Sequence, residues 1–356
     1  MNTTHPGSER QIAIWLLACC AILFALLVLG GVTRLTGSGL SITDWRPVTG
    51  VLPPFTEQAW QQEFDLYRAS PEYRQVNRGM ALHDFKVIYG YEYAHRLLAR
   101  ALGLAFAVPL AWFWLRGRIA PRLRWPLLGV LGLGMLQGYM GWFMVKSGLV
   151  DMPRVSPYRL GAHLGLALLI YASMFWLALG LLRPRGAAAS PRVRRGLQPL
   201  LLVLAVTIMS GAFVAGLKAG LVYNTFPMMA GQWVPDGLLH YQPVWRNWFE
   251  NAATVQFTHR LLGLGTLALV LYLWLRSMRL PLSSVQRVVF HGLAAAAILQ
   301  ATLGIMTLLM FVPVSLGAAH QGGAVVLLSM ALFALHDAGR APITVGATAP
   351  AGANAT

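Results

Sequence analysis

Charged side chains are scarce in this sequence: they make up 11% of its 356 residues, while hydrophobic residues make up 56%. A soluble domain carries roughly 25% charged residues. There is too little charge here to cover a water-facing surface, so a soluble globular fold is excluded. Lysine is almost absent, with three against twenty-five arginines, and the twelve acidic residues leave a formal net charge of +16. That excess does not describe a nucleic-acid-binding protein, because the arginines gather in short loops between apolar runs, as the positive-inside bias requires. Cysteine is nearly missing too. Cys19 and Cys20 stand side by side in an apolar run, point different ways on a helix and have no distant partner. A structural disulfide and a thiolate metal site are excluded, and core packing is their expected role.

What the chain does contain is long apolar runs. A membrane helix needs about 20 mostly apolar residues, and eight segments qualify: 11–31, 95–115, 125–145, 159–182, 197–217, 257–275, 286–310 and 314–335. The first is too long for a signal-peptide core and lacks a clean cleavage site, so it is read as a retained helix. Arg116, Arg118, Arg122 and Arg124 follow the second segment, Arg183, Arg185, Arg192, Arg194 and Arg195 the fourth, and Arg276, Arg279 and Arg287 the sixth. Even-numbered connections are therefore cytoplasmic, and both termini lie inside. The long connections 32–94 and 218–256 lie outside and read as folded caps. The Ala/Gly/Thr/Pro tail 339–356 reads as disordered.

The two halves repeat. Glu92-Tyr93-Ala94-His95-Arg96-Leu97-Leu98 matches Gln256-Phe257-Thr258-His259-Arg260-Leu261-Leu262 at an offset of 164. Leu136-Gln137 and Gly141 match Leu299-Gln300 and Gly304, Leu160-Gly161-Ala162-His163 matches Gly317-Ala318-Ala319-His320, and the outer loop from Gly39 to Pro47 matches that from Gly220 to Pro227. Each half holds an even number of helices, so the expectation is an all-α integral membrane protein of two parallel-repeat four-helix bundles. The first spans residues 1–190 and the second 191–338.

Ionisable groups in membrane helices are expensive and mark function by default. Four of nine histidines, His95, His163, His259 and His320, belong to the repeat and sit near the starts of even-numbered spans, two per bundle at similar depth in the outer leaflet. Two facing imidazoles in a four-helix bundle suit the axial pair of a b-type haem. Gly161, Ala162, Gly165, Gly317, Ala318, Ala319, Gly322 and Gly323 offer room for a flat macrocycle, and Arg96, Arg260 and Lys146 are candidates for its propionates. His5, His83, His240, His291 and His336 read as interfacial or solvated. The halves differ at one place: Glu92 stands three residues before His95, and its counterpart Gln256 cannot ionise. Two readings of Glu92 stay open, an i,i+4 salt bridge to Arg96 and a catalytic carboxylate at a haem edge.

Gly30-Gly31-Val32-Thr33-Arg34-Leu35-Thr36 with Ser38-Gly39-Leu40-Ser41 and Asp44-Trp45 resembles the first outer loop of haem A synthases, and Gly216 to Pro227 resembles their second signature. The resemblance covers about residues 11–336. It is nearest to the proteobacterial and mitochondrial branch, since the cysteine pair that the other branch carries in the first outer loop is missing. The resemblance implies oxidation of a ring methyl of haem O to a formyl group by successive hydroxylations, for cytochrome oxidase assembly. It implies His259 and His320 as ligands of a resident haem b, His95 and His163 as ligands of the substrate haem, and Glu92 as catalytic. It also implies a bacterial inner membrane with the haem sites toward the periplasm, and an upstream haem O synthase and oxidase assembly factors as partners beside the lipid bilayer. A homo-oligomer is admissible.

Six-coordinate haem has no open position for dioxygen, which makes water the expected oxygen source. The rival class is a di-haem b-type electron carrier linked to quinol. Such carriers usually place haems near both membrane faces, whereas all four histidines here lie toward one. A transporter ranks third, since it predicts inverted repeats.

Overall fold

The computed structural model describes residues 6–45, 50–148, 155–183 and 191–338. The tail 339–356, Arg185 and the expected boundary at 190 lie outside the described residues. Within them the chain is helical: α1 (Pro6–Leu35), α2 (Glu57–Arg68), α3 (Pro71–Gln75), α4 (Leu82–Leu115), α5 (Pro121–Gly148), α6 (Pro157–Leu182), α7 (Pro191–Gly216), α8 (Asn247–Glu250), α9 (Ala252–Ser277), α10 (Ser284–Leu309) and α11 (Val314–Asp337). No strand occurs among the described residues beyond one isolated bridge, Met229 to Gln232. Eight of the helices, α1, α4 to α7 and α9 to α11, are long and apolar enough to cross a membrane, so the chain is an all-α, multi-pass integral membrane protein.

Local sequence sets the helix starts. Pro121, Pro157 and Pro191 open α5, α6 and α7, where a missing N–H costs nothing. The Asn251 side chain accepts from the backbone N–H groups of Ala253 and Thr254 at the start of α9. Ser283 and Gln286 form a reciprocal capping box at α10.

At the centre, α1 packs on α4, α6 and α11, and α7 packs on α9, α11 and α6. Cys19 and Cys20 are free thiols buried in this core beside Leu16 and Leu23. The faces turned away from the core stay apolar and exposed, at Leu104, Val108, Met135, Leu202 and Val288, as lipid contact requires. At one end of the bundle, the guanidinium of Arg118 lies 4.7 Å over Trp112 and that of Arg124 lies 5.7 Å over Trp114, a pairing suited to the membrane interface.

One boundary departs from expectation. The second span begins at Leu82, not at 95. Thirteen extra residues add roughly 20 Å of helix to what had read as loop. Their apolar face is covered by α2 and α3: Phe85 stacks 5.1 Å from Tyr67 and 5.1 Å from Phe64, with Tyr89 and Ile42 completing a separate small core. Full burial of Phe85 contributes roughly 1.5–3 kcal/mol.

Glu72 lies buried in this cap, with Oε2 3.4 Å from the Tyr67 hydroxyl. Burial first, then the like charge of Glu92, raise its carboxyl from 4.5 to about 7. The folded state thus holds this proton to higher pH than the unfolded chain does. The cap is most stable below about 4.5, and that stability drains away as pH climbs to about 7. Glu72→Gln should remove the slope: hydrogen exchange over residues 57–93, corrected for intrinsic rates, should accelerate from pH 5 to 7.5 in the parent and stay flat in the variant. Parallel profiles would contradict the assignment.

Candidate functional site

The four repeat histidines come from α4 (His95), α6 (His163), α9 (His259) and α11 (His320). The His259 and His320 ring centroids are 6.4 Å apart, with the rings perpendicular at 88°. A metal bound to two Nε2 atoms at about 2 Å, each nitrogen about 1.1 Å from its ring centre, sets centroids roughly 6.2 Å apart. The observed separation is close to that value. His95 and His163 lie within electrostatic range of each other. No cluster of three or more His, Cys, Asp or Glu forms among the described residues, and two imidazoles are the donor set that six-coordinate haem uses.

Each ring is pressed against a glycine of a neighbouring helix. A Cβ on Gly30 of α1 would stand 3.1 Å from His95 Nε2, and one on Gly141 of α5 3.2 Å from His163 Cε1. In the second half, a Cβ on Gly211 of α7 would stand 3.0 Å from His259 Cε1, and one on Gly304 of α10 2.7 Å from His320 Cε1. A side chain at Gly304 would force the His320 ring to shift, and at the other three the ring would have to give by a few tenths of an ångström. Glutamines repeat the pattern: Gln137 and Gln300 donate to the backbone carbonyls of His163 and His320 at 3.1 and 2.8 Å.

Glu92 is 3% exposed and its two oxygens take four donors. Ser41 Oγ and the Ile42 N–H reach Oε2 at 2.7 and 2.8 Å, while Arg96 reaches Oε1 through Nε at 3.0 Å and Nη2 at 2.6 Å. Arg96 also donates to the carbonyls of Ile42 and Asp44. Gln256 and Arg260 do the same work in the other half. Gln256 Nε2 donates to Ala219 and Tyr223, and Arg260 donates to Tyr223 and Thr225. This motif therefore ties each outer loop onto its helix. Both arginines spend these donors on loop carbonyls, and Lys146 lies 4.9 Å over Trp142. Beside the Glu92–Arg96 pair opens a cavity of about 200 Å³ whose lining includes Tyr93, Arg96 and Arg100.

Several expectations need correction. Gly161 and Gly165 face Met209 and Phe213 of α7, while Gly317 and Gly322 face Leu35, Val28 and Phe24 of α1. They let helices of the two halves approach and do not line the histidine rings; Gly323 does face a site residue, Gln300. His336 is buried, with its ring edge-on to Trp176 at 5.2 Å, and is not solvated. His83, His240 and His291 are exposed as expected. Sequence reading missed Gly30 and Gly211 as histidine-facing residues, although both precede their outer-loop glycines by the same nine residues.

The family model described as cytochrome oxidase assembly protein, COX15-CtaA, matches residues 13–332. A haem A synthase of Nitrosospira multiformis is 49% identical over 92% of this chain and 94% of its own length. A haem A synthase of Rhodospirillum centenum is 48% identical over 93% of the chain and 89% of its own length. The haem A synthase COX15 of Arabidopsis thaliana is 46% identical over 94% and 76% respectively. With so much of its length matched, and with the paired histidines standing where two spanning helices meet, the chain belongs to the COX15-CtaA family of cytochrome oxidase assembly proteins.

Proposed function

We propose that this protein is a haem A synthase, oxidising the ring methyl of haem O to a formyl group, with haem b resident between His259 and His320 and the substrate haem between His95 and His163. The observation that carries the reading is the His259–His320 spacing of 6.4 Å, each ring backed by a glycine. The names of the relatives agree with it. A parallel two-bundle repeat is supported by the matched packing, in which α1 on α4, α6 and α11 corresponds to α7 on α9, α11 and α6. The arginine-rich connections support a topology with both termini inside and the histidines toward the outer, periplasmic face of the inner membrane. The upstream haem O synthase and the oxidase assembly factors remain the expected partners.

Converting the methyl to a formyl group consumes one water and releases four protons and four electrons. Haem b, when bound, supplies one-electron redox chemistry to carry those electrons away. The protein contributes placement and charge. His95 and His163 hold the substrate, and the cavity lined by Tyr93, Arg96 and Arg100 gives water a way to the Glu92–Arg96 pair. Four donors hold the Glu92 carboxylate in place, and through its charge it would stabilise cationic character at the methyl carbon.

Glu92→Gln removes that charge. The expected result is a loss of formyl product of about a hundredfold or more, within the roughly 10²–10³-fold cost of removing one preorganised electrostatic group, with both haems retained on purification. Formyl product at near-parental rate with both haems bound would remove Glu92 from the chemistry. The site assignment has its own test in pigment analysis. His259→Ala should lose haem b, whereas His95→Ala should keep substantial haem b and lose turnover. Equal loss of the same pigment from both variants contradicts the division of labour.

A further inference from the structure

The two histidine pairs rest on chemically different ground. The Ser210 hydroxyl donates to the Thr207 carbonyl at 2.7 Å, so its proton is committed, and His259 Nδ1 lies 2.8 Å from the same oxygen. With the Ser210 proton directed to Thr207, Ser210 Oγ is set to accept from His259 Nδ1, which would leave the Nε2 lone pair for a metal. Below it, Thr207 and Thr266 hydroxyls pair at 2.8 Å.

The first half lacks all of this. Because Gly30 and Gly211 each press on the histidine of the next spanning helix, Leu29 answers to Ser210 and Leu26 to Thr207. By the spacing that relates His95 to His259, Leu102 answers to Thr266. Three hydroxyls are replaced by three leucines, and among the described residues no hydrogen bond reaches either ring nitrogen of His95. The partner histidines also differ. Gln300 Nε2 lies 3.1 Å from His320 Nδ1. Gln137 Nε2 instead lies 3.4 Å from His163 Nε2, and His163 Nδ1 is buried without a partner.

We infer that Ser210 is the positioning residue that makes the haem between α9 and α11 a permanent one, and that its replacement by Leu29 lets His95 take up and release a haem. The inference rests on the proposed division between resident and substrate haem. A ring locked in one tautomer and one orientation is a stronger and slower-leaving ligand, and such outer partners are typically worth about 10–100-fold in metal affinity. A ring without such a partner is held less firmly, as a substrate site must allow.

The test uses the full-length holoprotein in detergent. Ser210→Ala should transfer haem b to apomyoglobin at least about tenfold faster than the parent, move its midpoint potential upward and shift the highest g value of the oxidised low-spin signal. Ser210→Thr should restore all three. Parental transfer rate, potential and g value in Ser210→Ala would overturn the inference. If His259→Ala retains haem b, the site reading itself has failed, which is a separate result. Leu29→Ser leaves the second half untouched and serves as the reciprocal variant. Haem O or haem A should leave it several-fold more slowly than the parent, and release at the parental rate would also overturn the inference.

Discussion

An imidazole among membrane helices has no water to satisfy its ring nitrogens, and each unsatisfied polar group in such surroundings costs free energy. Four such rings in one chain need four arrangements that repay that cost, and the rest of the structure follows from them. Four helices of neighbouring register supply glycines where a side chain would collide with a ring. Glutamines on α5 and α10 hold the backbone carbonyls of the outermost histidines. In the second half the spacing of His259 and His320 leaves a gap of the size that one metal ion bridges.

The same economy governs the outer loops. The first signature loop ends on Glu92 and Arg96, the second on Gln256 and Arg260, and in both the last turn before the histidine is tied to loop backbone. In the first half a cavity of about 200 Å³ opens beside Arg96, between this loop and α4. Replacing the amide of Gln256 by the carboxylate of Glu92 keeps the clamp and adds a charge. One position thus serves architecture in both halves and differs in charge between them.

Much of this was legible in the sequence, because its signals are local or periodic. Apolar runs mark the eight spans, arginine counts suggest their direction, and the repeat singles out four of nine histidines. What escaped depends on which face of a helix meets which neighbour. Gly161 and Gly322 sit within two residues of a repeat histidine yet face other helices, while Gly30 and Gly211, far away in sequence, lie against the rings. The extension of α4 to Leu82 was hidden because its covering, Phe64 and Tyr67, comes from a segment that is polar on average. Ser210 and Thr207 gave no signal as isolated hydroxyls in an apolar helix. Only the packing of α7 on α9 shows that they support His259.

The central claim is that the two sites hold chemically different haems, one resident and one being converted. The most direct measurement is extraction and chromatography of the pigments from the purified parent protein. Haem b together with haem O, haem A or an oxidation stage between them is the predicted result. Haem b alone at two per chain would make the protein an electron carrier, and a preparation without haem would contradict the account altogether.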